Sequence, residues 1–156
     1  MTGCASTKQA DSDSSLGKAQ QTLDSLYQHY SAKDSYLLRE SYPFDEQHKV
    51  TYLASEDQAN TPNQFSYLWP YSGTFSAVNA LFEATHDKKY QKLLDKRVLP
   101  GLEEYFDIQR TPNAYASYIQ TAPTSDRFYD DNVWLGIDFT DIYQITQEKR
   151  YLDKHN

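Results

Sequence analysis

The chain has 156 residues, 15% of them aromatic and fourteen of them tyrosine, and a net charge of −7. That length suits one ordinary domain with a core of its own. The negative balance, without a basic stripe, argues against a nucleic-acid backbone as partner, and no run of about 18 apolar residues exists to cross a membrane as a helix.

At the N-terminus, Cys4 is the single cysteine, so no internal disulfide can form. Met1-Thr2-Gly3-Cys4, followed by Ala5-Ser6-Thr7, resembles the end of a bacterial lipoprotein signal, in which the cysteine becomes the lipidated first residue of the mature chain. The basic and apolar parts of a signal peptide are not visible upstream. The expectation is an exported lipoprotein, periplasmic or at the cell surface, attached to a membrane through Cys4. Residues 1–14 are expected as a flexible tether, because residues 5–14 hold no apolar anchor.

Helical periodicity then begins. Leu16, Ala19, Leu23, Leu26, Tyr27 and Tyr30 recur at three- and four-residue steps and predict a helix over 15–32, capped by Ser14 or Ser15. Residues 33–66 carry Tyr42-Pro43 and Thr61-Pro62-Asn63 and read as a long loop. A second helix is predicted over 71–85, apolar on most sides and therefore buried on most sides. A third is predicted over 87–107, kinked or split at Pro100-Gly101. Residues 108–127 read as another loop. A fourth helix starts near Asp130 or Asp131 and runs to about Thr146, and a fifth begins near Lys149.

An internal repeat links these elements. Ala80-Leu81-Phe82-Glu83-Ala84-Thr85-His86-Asp87-Lys88-Lys89-Tyr90 aligns with Asp141-Ile142-Tyr143-Gln144-Ile145-Thr146-Gln147-Glu148-Lys149-Arg150-Tyr151, an offset of 61 residues. In each, an apolar helix end meets Thr-x-acid-Lys-basic-Tyr, a tight turn and a new helix. Repeated helical hairpins are the unit of an α/α toroid, and six at this period would need about 370 residues. The expected fold class is therefore all-α, with residues 15–156 forming an incomplete (α/α)6 toroid, the N-terminal part of a longer protein. Uncovered apolar faces and marginal stability are expected of such a piece.

The fourth helix carries the most specific feature, Phe128-Tyr129-Asp130-Asp131-Asn132-Val133-Trp134. Two adjacent carboxylates stand among aromatic rings. Glycoside hydrolysis uses two carboxyl groups at one sugar ring, one to protonate the leaving oxygen and one to act on the anomeric carbon. Asp is also a preferred N-cap, so plain capping is the alternative. On a helical wheel Asp131, Leu135, Asp138 and Ile142 fall within about 60° of one another, with Trp134 just to one side and Val133 and Ile137 nearly opposite. Asp138 alone reads as an ordinary hydrogen-bonded buried acid sooner than as a catalytic one.

Tyr67-Leu68-Trp69-Pro70-Tyr71-Ser72-Gly73, Asn79-Ala80-Leu81 and Ser125 to Trp134 resemble glycoside hydrolase family 76, the endo-α-1,6-mannanases. The likeness covers roughly residues 20–154, and Tyr-Asp-Asp-Asn-x-Trp is its most specific part. It implies an (α/α)6 barrel, retaining hydrolysis of α-1,6-mannan or manno-oligosaccharides, Asp130 as nucleophile and Asp131 as general acid/base. Trp69, Tyr71, Tyr129 and Trp134 are candidates for stacking on sugar rings, with core packing as the alternative for each, and Asn132 and Asp138 join them as candidate substrate-binding residues. There is no Gly-x-Ser-x-Gly elbow, Gly-rich phosphate loop or His-Glu-x-x-His, and His29, His48, His86 and His155 lack metal-ligand spacing, so neither cofactor nor metal is expected. The rival from another class is a non-catalytic glycan-binding lipoprotein built of helical hairpins.

Overall fold

A computed structural model describes residues 14–49 and 63–153. Cys4, and with it the expected lipid anchor, lies outside the described residues, as does all of the expected tether except Ser14. The first helix, α1, spans Ser15–Tyr30. Of the two candidate caps it uses Ser14, whose hydroxyl accepts the Gly17 N–H at 3.0 Å. Its Leu23 is buried in the core, and Leu16, Leu26, Tyr27 and Tyr30 pack against the same cluster. The described parts of the 33–66 segment form no helix. They are tied by isolated bridges between Ser31 and Leu38 and between Arg39 and Phe65.

Helix α2 spans Leu68–Thr85 and starts earlier than the periodicity predicts. Pro70 sits in the first turn, where backbone N–H groups have no intrahelical acceptor and a proline loses nothing. The start is held from outside: the Leu68 N–H donates to Ser117 O at 2.8 Å and the Tyr67 N–H to the Glu40 carboxylate at 3.1 Å.

The helix predicted over 87–107 is a chain of short pieces. Helix α3 covers Lys88–Leu93, a π-helical turn covers Leu94–Val98, helix α4 covers Leu99–Leu102 and a 3-10 turn covers Glu103–Tyr105. Pro100 has no N–H for the Lys96 carbonyl, and its ring crowds that carbonyl. The turn ahead of it widens, so that the Leu99 N–H reaches Leu94 O, five residues back. The expected loop over 108–127 contains one strand of a two-stranded ladder, β1 Phe106–Asp107 and β2 Ala114–Tyr115, with Phe106 opposite Tyr115. Two residues per strand leave the chain all-α in class. Helix α5 spans Tyr129–Thr146. Where a fifth helix is predicted, a 3-10 turn forms at Lys149–Tyr151.

The repeat is reproduced in its threonine and left-handed residues, and differs at the acid, since Asp87 accepts the Lys89 N–H whereas Glu148 makes no cap. Thr85 Oγ1 donates to Leu81 O at 2.6 Å, and Thr146 Oγ1 to Ile142 O at 2.7 Å. Each threonine oxygen also accepts an N–H at 3.2 Å, from Asp87 and from Glu148. The residues between, His86 and Gln147, both take left-handed conformations, with φ of 53° and 59°, and each sends its N–H four residues back at 2.7 Å. The closing tyrosines, Tyr90 and Tyr151, are both buried. Matching hairpin turns 61 positions apart leave α2 and α5 side by side and parallel, early residues against early and later against later: the Trp69 and Trp134 rings lie 5.9 Å apart, and farther along Asn79 donates to Asp138 O at 2.9 Å. The core lies between them, built from Phe75, Val78 and Phe82 of one helix and Leu135, Phe139 and Ile142 of the other. The far face of α5 is open, with Val133 61% and Ile137 49% exposed.

Candidate active site

The paired acids lie in the first turn of α5, and neither caps it. Phe128 is the residue before the helix and makes no side-chain cap, so Asp130 and Asp131 are the second and third helical residues. A negative charge is stabilised at a helix N-terminus, but the two carboxyls share little else. Asp130 is exposed. Asp131 is 5% exposed, and among the described residues none donates a hydrogen bond to its carboxyl. Burial, reinforced by the charge of Asp130, pushes Asp131 up from 3.8 to about 6.

Trp69 enters from the first turn of α2, and its ring lies 5.9 Å from that of Trp134, tilted by 52°. The two rings are 50% and 43% exposed, and Tyr129 beside the acids is 93% exposed. These three aromatic faces are open to solvent at the end of α5 that carries the acids. Tyr71 is not with them. It is 1% exposed, its hydroxyl donates to Val98 O at 3.0 Å, and its ring packs 5.2 Å from Tyr105. Its expected stacking role is corrected to core packing: it lies two helical positions from Trp69 and so faces the opposite way.

Two further expectations are corrected by hydrogen bonding. Asn132 does not present its amide to a ligand. Its oxygen accepts the Tyr115 N–H at 2.8 Å, and its nitrogen donates to Tyr115 O and Phe128 O, both at 2.9 Å. The residue fastens the start of α5 to strand β2. Asp138 is 3% exposed and lies beneath the surface, its two oxygens accepting the Ser76 hydroxyl at 2.9 Å each. Burial pushes it up to about 6, against the lowering effect of the Ser76 bond. Among the described residues no group of three or more His, Cys, Asp or Glu is arranged to hold a metal ion.

No protein-family model matches the sequence, and no curated protein matches it. Solved structures do. A family 76 glycoside hydrolase (mannosidase) from Bacteroides thetaiotaomicron matches with a TM-score of 0.67 and 28% identity, over 90% of this chain and 35% of its own. A second family 76 glycoside hydrolase, from a bovine Bacteroides thetaiotaomicron strain, matches with a TM-score of 0.66 and 24% identity, over 92% of this chain and 28% of its own. The fold is that of glycoside hydrolase family 76. The chain spans about a third of the length of these structures.

The family 76 architecture is held at the acid-bearing end by residues that the sequence reading passed over. Asp107, buried at the end of β1, accepts from Arg110 Nε at 2.6 Å and from Arg127 Nε at 3.1 Å. Arg127 also donates to the carbonyls of Asp107 and Arg110, both at 2.9 Å, and to that of Pro112. The guanidinium thus gathers the whole 107–112 turn two residues before α5 begins. Burial alone would raise Asp107, but the bonds from Arg110, the Gln109 N–H and Arg127 bring it down to about 2. Arg127 stands inside the quoted Ser125–Trp134 segment, so the only signal for it was its place beside the acids. Ser76 and Asn79 line the α2 side of the contact with α5; Asn79 stands in the Asn79-Ala80-Leu81 run that carries the resemblance, and no local pattern marks Ser76.

Proposed function

We propose that these residues belong to a retaining endo-α-1,6-mannanase acting on fungal-type α-mannan. The observation that carries the reading is the contrast within the acid pair: adjacent residues of one helical turn, one exposed and one buried with its proton affinity raised to about 6. Retention calls for two carboxyl groups about 5–5.5 Å apart, one ionised and one protonated. Asp130 attacks the anomeric carbon while the Asp131 proton passes to the departing glycosidic oxygen. Asp131, now ionised, takes a proton from water, and that water releases the sugar from Asp130. The likeness to the Bacteroides mannosidase and the exposed Trp69, Trp134 and Tyr129 rings support a sugar polymer as substrate.

The test is hydrolysis of unbranched α-1,6-mannan by this chain and by the same residues within the full reading frame, each with Asp130→Asn and Asp131→Asn. In an active protein each variant loses about 100- to 10,000-fold in rate. Near-normal turnover by both variants would remove the pair from the chemistry. Binding of mannan without any release of reducing ends would instead favour the non-catalytic glycan-binding alternative. Export and lipid attachment through Cys4 are proposed from the sequence alone. A mass spectrum of the membrane fraction, searched for the acylated cysteine, tests both.

A further inference from the structure

Trp134 Nε1 donates to Ser76 Oγ at 2.9 Å, and Ser76 Oγ lies 2.9 Å from each oxygen of Asp138. The direction of this chain of bonds is fixed by its ends. An indole nitrogen can only donate, so it must use a lone pair of the serine oxygen. That leaves the serine proton free for the carboxyl behind it. Asp138 is held in turn, because Asn79 of the same α2 face donates to its backbone carbonyl at 2.9 Å. The relay crosses from α5 to α2 and back to α5, two residues of one helix clamped through one residue of the other.

We propose that Ser76 and Asp138 are positioning residues that fix the Trp134 indole ring, tilted against Trp69, beside Asp130 and Asp131. Neither touches a substrate. A half-exposed tryptophan would otherwise turn about its side-chain bonds, and a stacking face that must be ordered on binding lowers affinity. A ring anchored at its nitrogen keeps both faces clear of the anchor. The carboxyl at the base of the relay explains a buried acid that the proposed mechanism does not use: it orients the serine proton inward, so the serine lone pairs face the indole. The purpose of the anchored ring rests on the glycan reading above, whereas the anchoring itself does not.

The chain contains two tryptophans, so a 15N-labelled sample gives two indole N–H signals, assigned by Trp69→Phe. The Trp134 signal is expected to exchange with water about tenfold more slowly than that of Trp69, the change that one net hydrogen bond supplies. Ser76→Ala should erase that difference, and Ser76→Thr, which keeps the hydroxyl, should restore it. Titration of the full reading frame with an unbranched α-1,6-manno-oligosaccharide should show about tenfold weaker binding for Ser76→Ala and near-native binding for Ser76→Thr. Unchanged Trp134 exchange in Ser76→Ala would overturn the proposal, and so would freed exchange with sugar affinity intact while Trp134→Ala abolishes binding. If Trp134→Ala binds the sugar as well as the native protein while the exchange results hold, the glycan reading of the ring fails and the anchored indole stands.

Discussion

Asp130 and Asp131 are consecutive residues of one helical turn, yet the first carboxyl faces solvent and the second is 5% exposed. The helix itself makes the division. A step of one residue rotates the side chain by about 100°, which turns Asp131 toward the stripe of Leu135, Asp138 and Ile142 and leaves Asp130 outside it. Two carboxyls in contact with different surroundings hold their protons differently, and that is what a nucleophile and a proton donor at one sugar ring require.

The first prediction concerns the cost of that arrangement. Asp131 is raised from 3.8 to about 6 in the folded chain. Between those values the folded state binds more protons than the unfolded state, so stability falls as pH rises through the window, and the cost is fully present above about pH 6. Asp131→Asn removes an uncompensated buried charge. Thermal unfolding at about pH 7.5 should show the variant more stable by roughly 1–2 kcal/mol, with no gain at about pH 3.5, where the native carboxyl is protonated. A variant less stable than the native chain at the higher pH would mean that the carboxylate has a partner.

Asp107 has the opposite sign. Burial would raise it, but its bonds from Arg110, the Gln109 N–H and Arg127 hold it at about 2. Its contribution is complete above the ordinary carboxylate range and is lost as pH falls from about 4 to about 2. Asp107→Asn should cost about 3 kcal/mol or more at neutral pH, because two guanidinium groups lose their counter-charge. The difference from the native chain should shrink toward zero near pH 2. Denaturant unfolding at both pH values measures it, and a penalty that stays constant with pH would assign the cost to packing instead.

Gly101 tests the core beneath α2. A Cβ there would lie 1.9 Å from the Tyr71 hydroxyl oxygen and 2.9 Å from the Tyr36 carbonyl. Gly101→Ala should therefore destabilise by about 1–3 kcal/mol, although alanine is the better helix former. Tyr71→Phe removes the nearest atom, so the double variant should be more stable than the sum of the two single changes implies. Strict additivity in a thermal-unfolding cycle would mean that the clash is relieved elsewhere.

What could be read from the sequence was local. The apolar spacing of 71–85 and 130–146 and the Thr-x-acid-Lys-basic-Tyr turns depend on neighbours within one or two turns, and α2, α5 and both tight turns follow from them, though not the left-handed residue in each. The adjacent acids were legible for the same reason. What escaped depends on contacts between distant segments. The serine beneath Trp134 is 58 positions away, and the guanidinium that gathers the turn before α5 acts on carbonyls 15–20 residues back. Aromatic composition did not separate Tyr71 from Trp69, because inside and outside at a helix start are decided by what packs there. The π turn before Pro100 was hidden in a pattern that still counts as helical.

The last prediction joins the charge state of Asp131 to the proposed chemistry. A general acid works only while it holds its proton, so kcat/KM on unbranched α-1,6-mannan should fall as pH rises through about 6, the value to which burial and Asp130 push Asp131. The fall should approach tenfold per pH unit well above that point. An aryl α-mannoside with a weakly basic leaving group needs no proton on departure. On that substrate the bond-breaking step should lose its alkaline limb, and Asp131→Asn should cost far less than the about 100- to 10,000-fold expected on mannan. The measurement is the pair of pH profiles, taken on the full reading frame for the native protein and the variant. If the alkaline limb near 6 persisted in the residual activity of Asp131→Asn, another group would be the acid. If both substrates showed the same limb in the native protein, the titration would belong to binding or folding rather than to the departing oxygen.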